Sequence, residues 1–381
     1  MHIVQLLPEL NEGGVERGTV EISRELVKRG HQSTVISAGG KLVERIVADG
    51  GNHVILGIAS KNPLTVPKRV WAIERVLREL NPDILHARSR VPAWLCLWAK
   101  KKLNIPFVTT VHGFNSVNWY SEIMVKGDRV IYGSSAIKDY VLEHYSLDEF
   151  RLRYVPRGID MDYFSPDSVD HGFISAFKKQ HRLDGKCVVS MVGRITEMKG
   201  HKTFIPAVAK VSRNNPEVIG LIVGGVHKGK KDYYKLLTNL SQELGVVEKV
   251  RFVGSQPNMR EILLLSDMVV SSSSKPETFG RTVGEALAMN TPVIASAHGG
   301  VLDVVCDNEN GLLFQPGDIN DLAEKIEEAM TRTFSNMREH VRHNFSLDQM
   351  TEMKLKVYQE LVDGGIGKVG CENSGERYER D

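Results

Sequence analysis

Cysteine is scarce and scattered. Cys96, Cys187, Cys306 and Cys371 are the only four and none sits in a CxxC, so neither a zinc site nor a disulfide framework is expected, and the thiols read as free. No apolar run approaches the roughly 18 residues that a membrane-crossing helix needs. The opening MHIVQLLPEL has no basic leader and no small-residue cleavage site, so it reads as a first strand, with a cytoplasmic location as the expectation. Excess charge of one sign is missing too: 49 Lys+Arg meet 47 Asp+Glu, which argues against duplex nucleic acid as a main partner. The apolar share of 41% and charged share of 25% exclude disorder and collagen. At roughly 100 to 200 residues per domain, the chain divides naturally into two.

What is present is an alternation of short apolar runs with helical stretches. HIVQLL (2–7), QSTVIS (32–37), HVILGI (53–58), DILHA (83–87), FVTTVHG (107–113) and DRVIYGS (128–134) read as strands, with helices between most of them, as over 15–29 and 68–80. A turn-rich stretch after Tyr154 precedes a second series: CVVSMVG, VIGLIVGG, KVRFVG, DMVVSSS, TPVIAS and GLLF. The expected fold is α/β, two Rossmann-like doubly wound domains facing each other across a cleft. They are placed at 1–165 and 166–345, with a linker near 156–180. A C-terminal helix over 346–362 is expected to pack back toward the first domain, and 363–381 reads as a disordered tail. In such sheets ligands bind at the carboxyl ends of the strands.

Three loops at those ends carry candidate chemistry. Asn11-Glu12-Gly13-Gly14 lies between the first strand and first helix, where glycine permits close approach of a phosphate or sugar; taken alone it is equally a tight β–α turn. It is not GxGxxG and lacks an acidic partner for a dinucleotide ribose, so a nicotinamide cofactor is not expected. Val192 to Gly200 places Arg194 and Lys199 after the first strand of the second domain, a fork and a point charge suited to a diphosphate, or else a solvated loop. Ser274 to Ala286 spaces Glu277 and Glu285 eight apart. A helix expected to begin near Phe279 or Gly280 would turn the N–H groups of Gly280, Arg281 and Thr282 toward phosphate oxygens, while Glu285 would accept from a ribose diol. Both carboxylates equally suit simple helix-dipole partners.

With these loops, Thr110-Val111-His112-Gly113, PETFGRTVGEALAM and PVIASAHGG (292–300), the chain resembles the family 4 glycosyltransferases, retaining enzymes of the two-Rossmann GT-B fold, over almost its whole length. The wording of HARSR and PETFGRTV is most similar to bacterial lipopolysaccharide, capsule and exopolysaccharide transferases. The resemblance implies a nucleotide-sugar donor (UDP-, GDP- or ADP-sugar) as substrate and a saccharide or lipid-linked acceptor, with no cofactor and no metal. It places Gly13, Gly14, Phe279, Gly280, Arg281, Thr282 and Glu285 at the donor, His112 near the transferred sugar, Arg194 and Lys199 on the diphosphate, and Glu277 on the donor sugar. The leaving phosphate itself is then expected to take the acceptor proton, and no general base is assigned. Asp160-Met161-Asp162, a triplet that holds a cation in another glycosyltransferase fold, reads here as turn chemistry.

Arg88 and Arg90 end a predicted strand and are candidates for an anionic acceptor, with a solvated surface pair as the alternative. In WLCLWAKKK (94–102) the tryptophans read as core and the lysines as its solvated end; an interfacial helix, with peripheral membrane association, is the other reading. Arg157 and Asn290 depart from the family pattern, at positions away from the donor residues. A nucleotide-sugar 2-epimerase of the same fold and a non-catalytic nucleotide or carbohydrate binder are the competing functions.

Overall fold

A computed structural model describes residues 1–364 except Glu12, His227 and Lys228. The expected tail from 365 onward, with Cys371, lies outside the described residues. The chain forms two compact units: unit 1 comprises Met1–Tyr132, Val141–Val155 and the chain from Thr351, and unit 2 comprises Gly133–Tyr140 and Pro156–Met350.

Unit 1 is built on a parallel sheet of β1 (His2–Leu6), β2 (Gln32–Ser37), β3 (Asn52–Ile55), β4 (Ile84–Ala87), β5 (Phe107–Val111), β6 (Arg129–Tyr132) and β7 (Leu152–Tyr154), in the order β3-β2-β1-β4-β5-β6-β7. Unit 2 repeats the scheme with β8 (Cys187–Val192), β9 (Val218–Val223), β10 (Val250–Gly254), β11 (Met268–Ser271), β12 (Val293–Ser296) and β13 (Gly311–Phe314), ordered β10-β9-β8-β11-β12-β13. Strands such as β5 and β9 are buried along their whole length, as their unbroken apolar runs require when helices cover both faces. In each sheet the strand order reverses between the first and fourth strands, so crevices open at the carboxyl ends of β1 and β4 and of β8 and β11.

The unit boundary falls at Val155/Pro156, ten residues before the expected one. The stretch 156–180 is also no loose linker: Ile159 and Phe164 are buried in the unit 2 core, and 171–180 form a helix. Arg338 pins the turn, its Nη2 donating to Met161 O at 2.9 Å, and Asp160 Oδ1 accepts from Tyr163 N at 3.0 Å. The last helix, Leu347–Asp363, is divided between the units at Met350/Thr351. Cys96, Cys187 and Cys306 are unbridged.

Within unit 1, Tyr358 of that helix is fully buried and meets His86 of β4. The imidazole lies 2.7 Å from the Tyr358 hydroxyl through Nδ1 and 2.7 Å from Thr110 Oγ1 through Nε2. Burial, with Arg88 and Lys354 nearby, holds His86 well below the usual histidine range; in unit 2, burial pushes His201 down to about 4. Both are therefore neutral in the folded protein at pH values where an unfolded histidine, with its pKa near 6.5, takes up a proton. Stability is expected to be flat above that pH and to fall as pH drops through it, by about 1.4 kcal/mol per pH unit for each such histidine. Urea midpoints at pH 7.5, 6.5 and 5.5 check this, and equal midpoints would contradict it.

Candidate active site

The carboxyl ends of β8 and β11 bring the second and third candidate loops together. Lys199 Nζ lies 2.7 Å from Glu277 Oε1, two side chains 78 residues apart in sequence, and Ser273 Oγ donates to the same carboxylate oxygen. Burial alone would raise the Glu277 carboxyl. The Lys199 charge and the two hydrogen bonds, with His298 nearby, outweigh it and hold the group below the usual carboxylate range. Glu277 is therefore an oriented anion. The stem of Lys199 reaches it across Gly193, where a Cβ would stand 3.1 Å from Lys199 Cε.

The loop that carries Glu277 is held from both sides. Ser272 Oγ lies 3.2 Å from the carbonyls of Lys199 and Gly200, and Ser274 N donates to Met198 O at 2.8 Å. His298 Nε2 sits 2.8 Å from Ser273 O, a contact that requires the proton on that nitrogen. Gly300 N donates to Glu277 O at 2.7 Å.

The glycines of these loops serve backbone contact within the protein. Gly200, at φ +77°, would place a Cβ 1.7 Å from Ser272 O, and Gly299, at φ +73°, would place one 2.6 Å from Glu277 O.

Helix Arg281–Ala288 starts one residue later than the expected range, with Gly280 as its N-cap and no side-chain cap, so its positive dipole end stands just past the Glu277 loop. Glu285 lies on this helix and accepts from Arg281 Nε at 2.7 Å. Thr282 is half-buried beside it. Phe279 is a correction: the whole residue is only 3% exposed and its ring packs edge-on against Phe345 in the unit 2 core, so it supports the loop from below and does not line a donor surface. Arg194, by contrast, is exposed and makes no ion pair among the described residues.

The remaining candidates belong to unit 1. Gly13 is the extended N-cap of helix Gly14–Lys28, and the carboxylate of Glu16 folds back over it, 2.2 Å from where a Cβ would stand. His112 follows β5 and is half-buried. Arg88 and Arg90 are not a solvated pair. Arg88, at the carboxyl end of β4, is 2% exposed, donates to Gln5 Oε1 at 3.1 Å and is lowered by burial to about 10. Arg90 donates to Ser121 Oγ at 3.1 Å and lies over the Tyr120 ring.

Sequence reasoning missed Ser273 and His298. The repeated serines of SSSS after β11 and the histidine before Gly299-Gly300 are the signals that mark them.

Comparison with known proteins agrees with this layout. Residues 12–163 match the family model described as glycosyltransferase family 4, and 173–345 match glycosyl transferases group 1, so the two span most of the chain. A D-inositol 3-phosphate glycosyltransferase of Stackebrandtia nassauensis is 28% identical over 237 residues, 61% of this chain and 52% of that protein; the match spans about half the relative's length. A glycosyltransferase structure from Rickettsia africae superposes with a TM-score of 0.88 at 29% identity, covering 96% of this chain and 99% of that one. HepE of Anabaena, solved with UDP and glucose, shares the fold at a TM-score of 0.81 and 21% identity, over 94% and 99% of the two chains. The chain belongs to the family 4 glycosyltransferases of the GT-B fold, and its two Rossmann-like sheets are those of that fold.

Proposed function

We propose that this chain moves a sugar from a nucleotide-sugar donor, with retention at the anomeric carbon, to a saccharide or lipid-linked saccharide. The process is bacterial cell-surface polysaccharide or lipopolysaccharide synthesis, at the cytoplasmic face of the membrane. The observation that carries the donor reading is the Lys199–Glu277 pair, fixed by Ser273 at the crevice between β8 and β11 and followed by the bare N-terminus of helix Arg281–Ala288. A diphosphate bound there meets the Lys199 ammonium, the exposed Arg194 guanidinium and a helix dipole, all favouring negative charge. Breaking the bond between anomeric carbon and phosphate creates negative charge on the departing oxygen and positive charge on the sugar. Fixed cations stabilise the first, and the Glu277 carboxylate orients and stabilises the second. Glu285, held by Arg281, is assigned to the donor ribose.

The UDP and glucose bound to HepE make UDP-glucose the first donor to try. Thermal shift with UDP-, GDP- and ADP-sugars tests the donor class, since a ligand at 100 times its Kd adds about 2.7 kcal/mol. No shift with any of them would overturn the reading. Because protein cations supply the positive field, transfer is expected to continue in EDTA. Strict dependence on Mg²⁺ or Mn²⁺ would contradict that assignment.

A further inference from the structure

We infer that the outer surface of helices Val66–Leu80 and Arg90–Leu103, with the segment 114–120, is a docking face for an anionic lipid bilayer. This deepens the membrane location proposed above and rests on that part of the reading alone.

All four tryptophans of the chain lie here: Trp71, Trp94, Trp98 and Trp119. Sequence patterning places the pair in the second helix in the core, but the structure leaves Trp98 exposed and Trp94 half-buried beneath its neighbours. Trp119 is 74% exposed, Trp71 62% and Trp98 36%. Trp94 stacks 5.6 Å from Trp98 and 5.7 Å from Trp119, and its Nε1 donates to Tyr120 O at 3.0 Å, so three of the rings form one continuous cluster. Val117 and Leu64 are exposed at 54% and 87% on the loop and at the first helix's entry. Leaving so much aromatic area in water forgoes the main stabilising term of folding, which favours a surface that is covered in use.

Charge identifies the cover. The two helices hold eight Lys+Arg against two Asp+Glu, in a protein whose total is nearly balanced. Arg90, Trp94, Trp98 and Lys101 recur at helical spacing, so one stripe carries cations at both ends and indoles between them. Lys68, Trp71 and Arg75 repeat the pattern on the neighbouring helix, and Lys102 bridges the two by its 2.9 Å contact with Glu74. Indoles settle at the headgroup level of a bilayer, and lysine stems lie along its apolar edge while their ammonium groups reach the phosphates. A protein partner fits less well, because lysine is depleted from protein–protein interfaces.

The tryptophans report on this face alone, which makes intrinsic fluorescence a site-specific probe. The full chain is mixed with vesicles of phosphatidylcholine, alone or with phosphatidylglycerol, carrying brominated acyl chains. Quenching and a blue shift are expected with the anionic vesicles only, and are expected to vanish in about 1 M salt, where the Debye length falls to about 3 Å. Trp71→Ser with Trp119→Ser, and separately Lys68→Glu with Lys101→Glu, are each expected to weaken partitioning at least tenfold by co-sedimentation, without moving the UDP-induced thermal shift. Unchanged emission with anionic vesicles, equal binding to neutral ones, or variants that bind like the parent would overturn the inference. Vesicle binding without a nucleotide-sugar shift would leave it standing while the donor reading fell.

Discussion

Lys199→Ala is expected to lower kcat by about 10²-fold or more, the size of effect found when one preorganised donor to a developing anion is removed. The ammonium faces charge that grows as the bond breaks, so its contribution is larger in the transition state than in the bound donor. Its removal has a second consequence. Glu277 would remain buried with Ser273 as its chief partner, so burial would act largely unopposed and its carboxyl would rise. The residual activity of the variant should therefore decline at a higher pH than that of the parent as the solution is acidified. Glu285→Ala supplies the contrast: a ribose contact equal in ground and transition states raises KM for the donor and leaves kcat largely alone. Steady-state kinetics on both, each checked for parental melting, decide the matter. A pure KM effect for Lys199→Ala would remove it from the assigned role.

Gly200→Ala should damage the protein more than its place at the start of helix His201–Asn214 suggests. The added methyl would stand 1.7 Å from Ser272 O at a φ of +77°, so the chain must part there, pulling away the serine whose hydroxyl contacts the Lys199 and Gly200 carbonyls. A cost of roughly 2 to 4 kcal/mol is expected, from left-handed backbone strain and the clash together. Activity should drop with it, because Lys199 precedes the glycine and the Glu277 loop follows the serine. Gly185→Ala is the control: it has a similar φ of +67° with nothing within 4 Å of its Cβ, so it bears the strain alone. Equal melting temperatures for the two variants would show that the contact with Ser272 does not matter.

Much of this fold was legible because parallel strands buried on both faces spell themselves as apolar runs, and twelve of the thirteen strands among the described residues coincide with such runs. The exception, β7, is three residues long and lies in a turn-rich, arginine-bearing stretch; pairing to β6 makes it a strand, and local sequence does not announce that. The loops of the site were equally readable, since each follows a strand and carries glycine with charge. Their partnership was not. Nothing near Glu277 in sequence points to Lys199, and the serine and histidine that fix the pair act through tertiary contacts that periodicity cannot reveal.

Burial of polar and aromatic groups was the other blind spot. Arg88 ends a strand, a place where a long cation commonly reaches solvent, yet Gln5 receives it inside unit 1. Trp94 and Trp98, four residues apart on an apolar helix, look like core residues by composition, yet Trp98 is exposed and Trp94 is half-buried, covered by Trp119 and bonded to Tyr120 O.

The division of the last helix between the two units reaches into how the chain is made. On the ribosome, residues 1–155 emerge first, but the hydroxyl that satisfies His86 arrives with Tyr358, some two hundred residues later. At about 5 to 20 residues per second, the first unit therefore waits 10 s or more with His86 lacking the Tyr358 partner, while the second is completed ahead of it. The unit synthesised first is the one that finishes last, and a nascent chain halted before Tyr358 should display an unfinished amino-terminal half beside a settled carboxyl-terminal one.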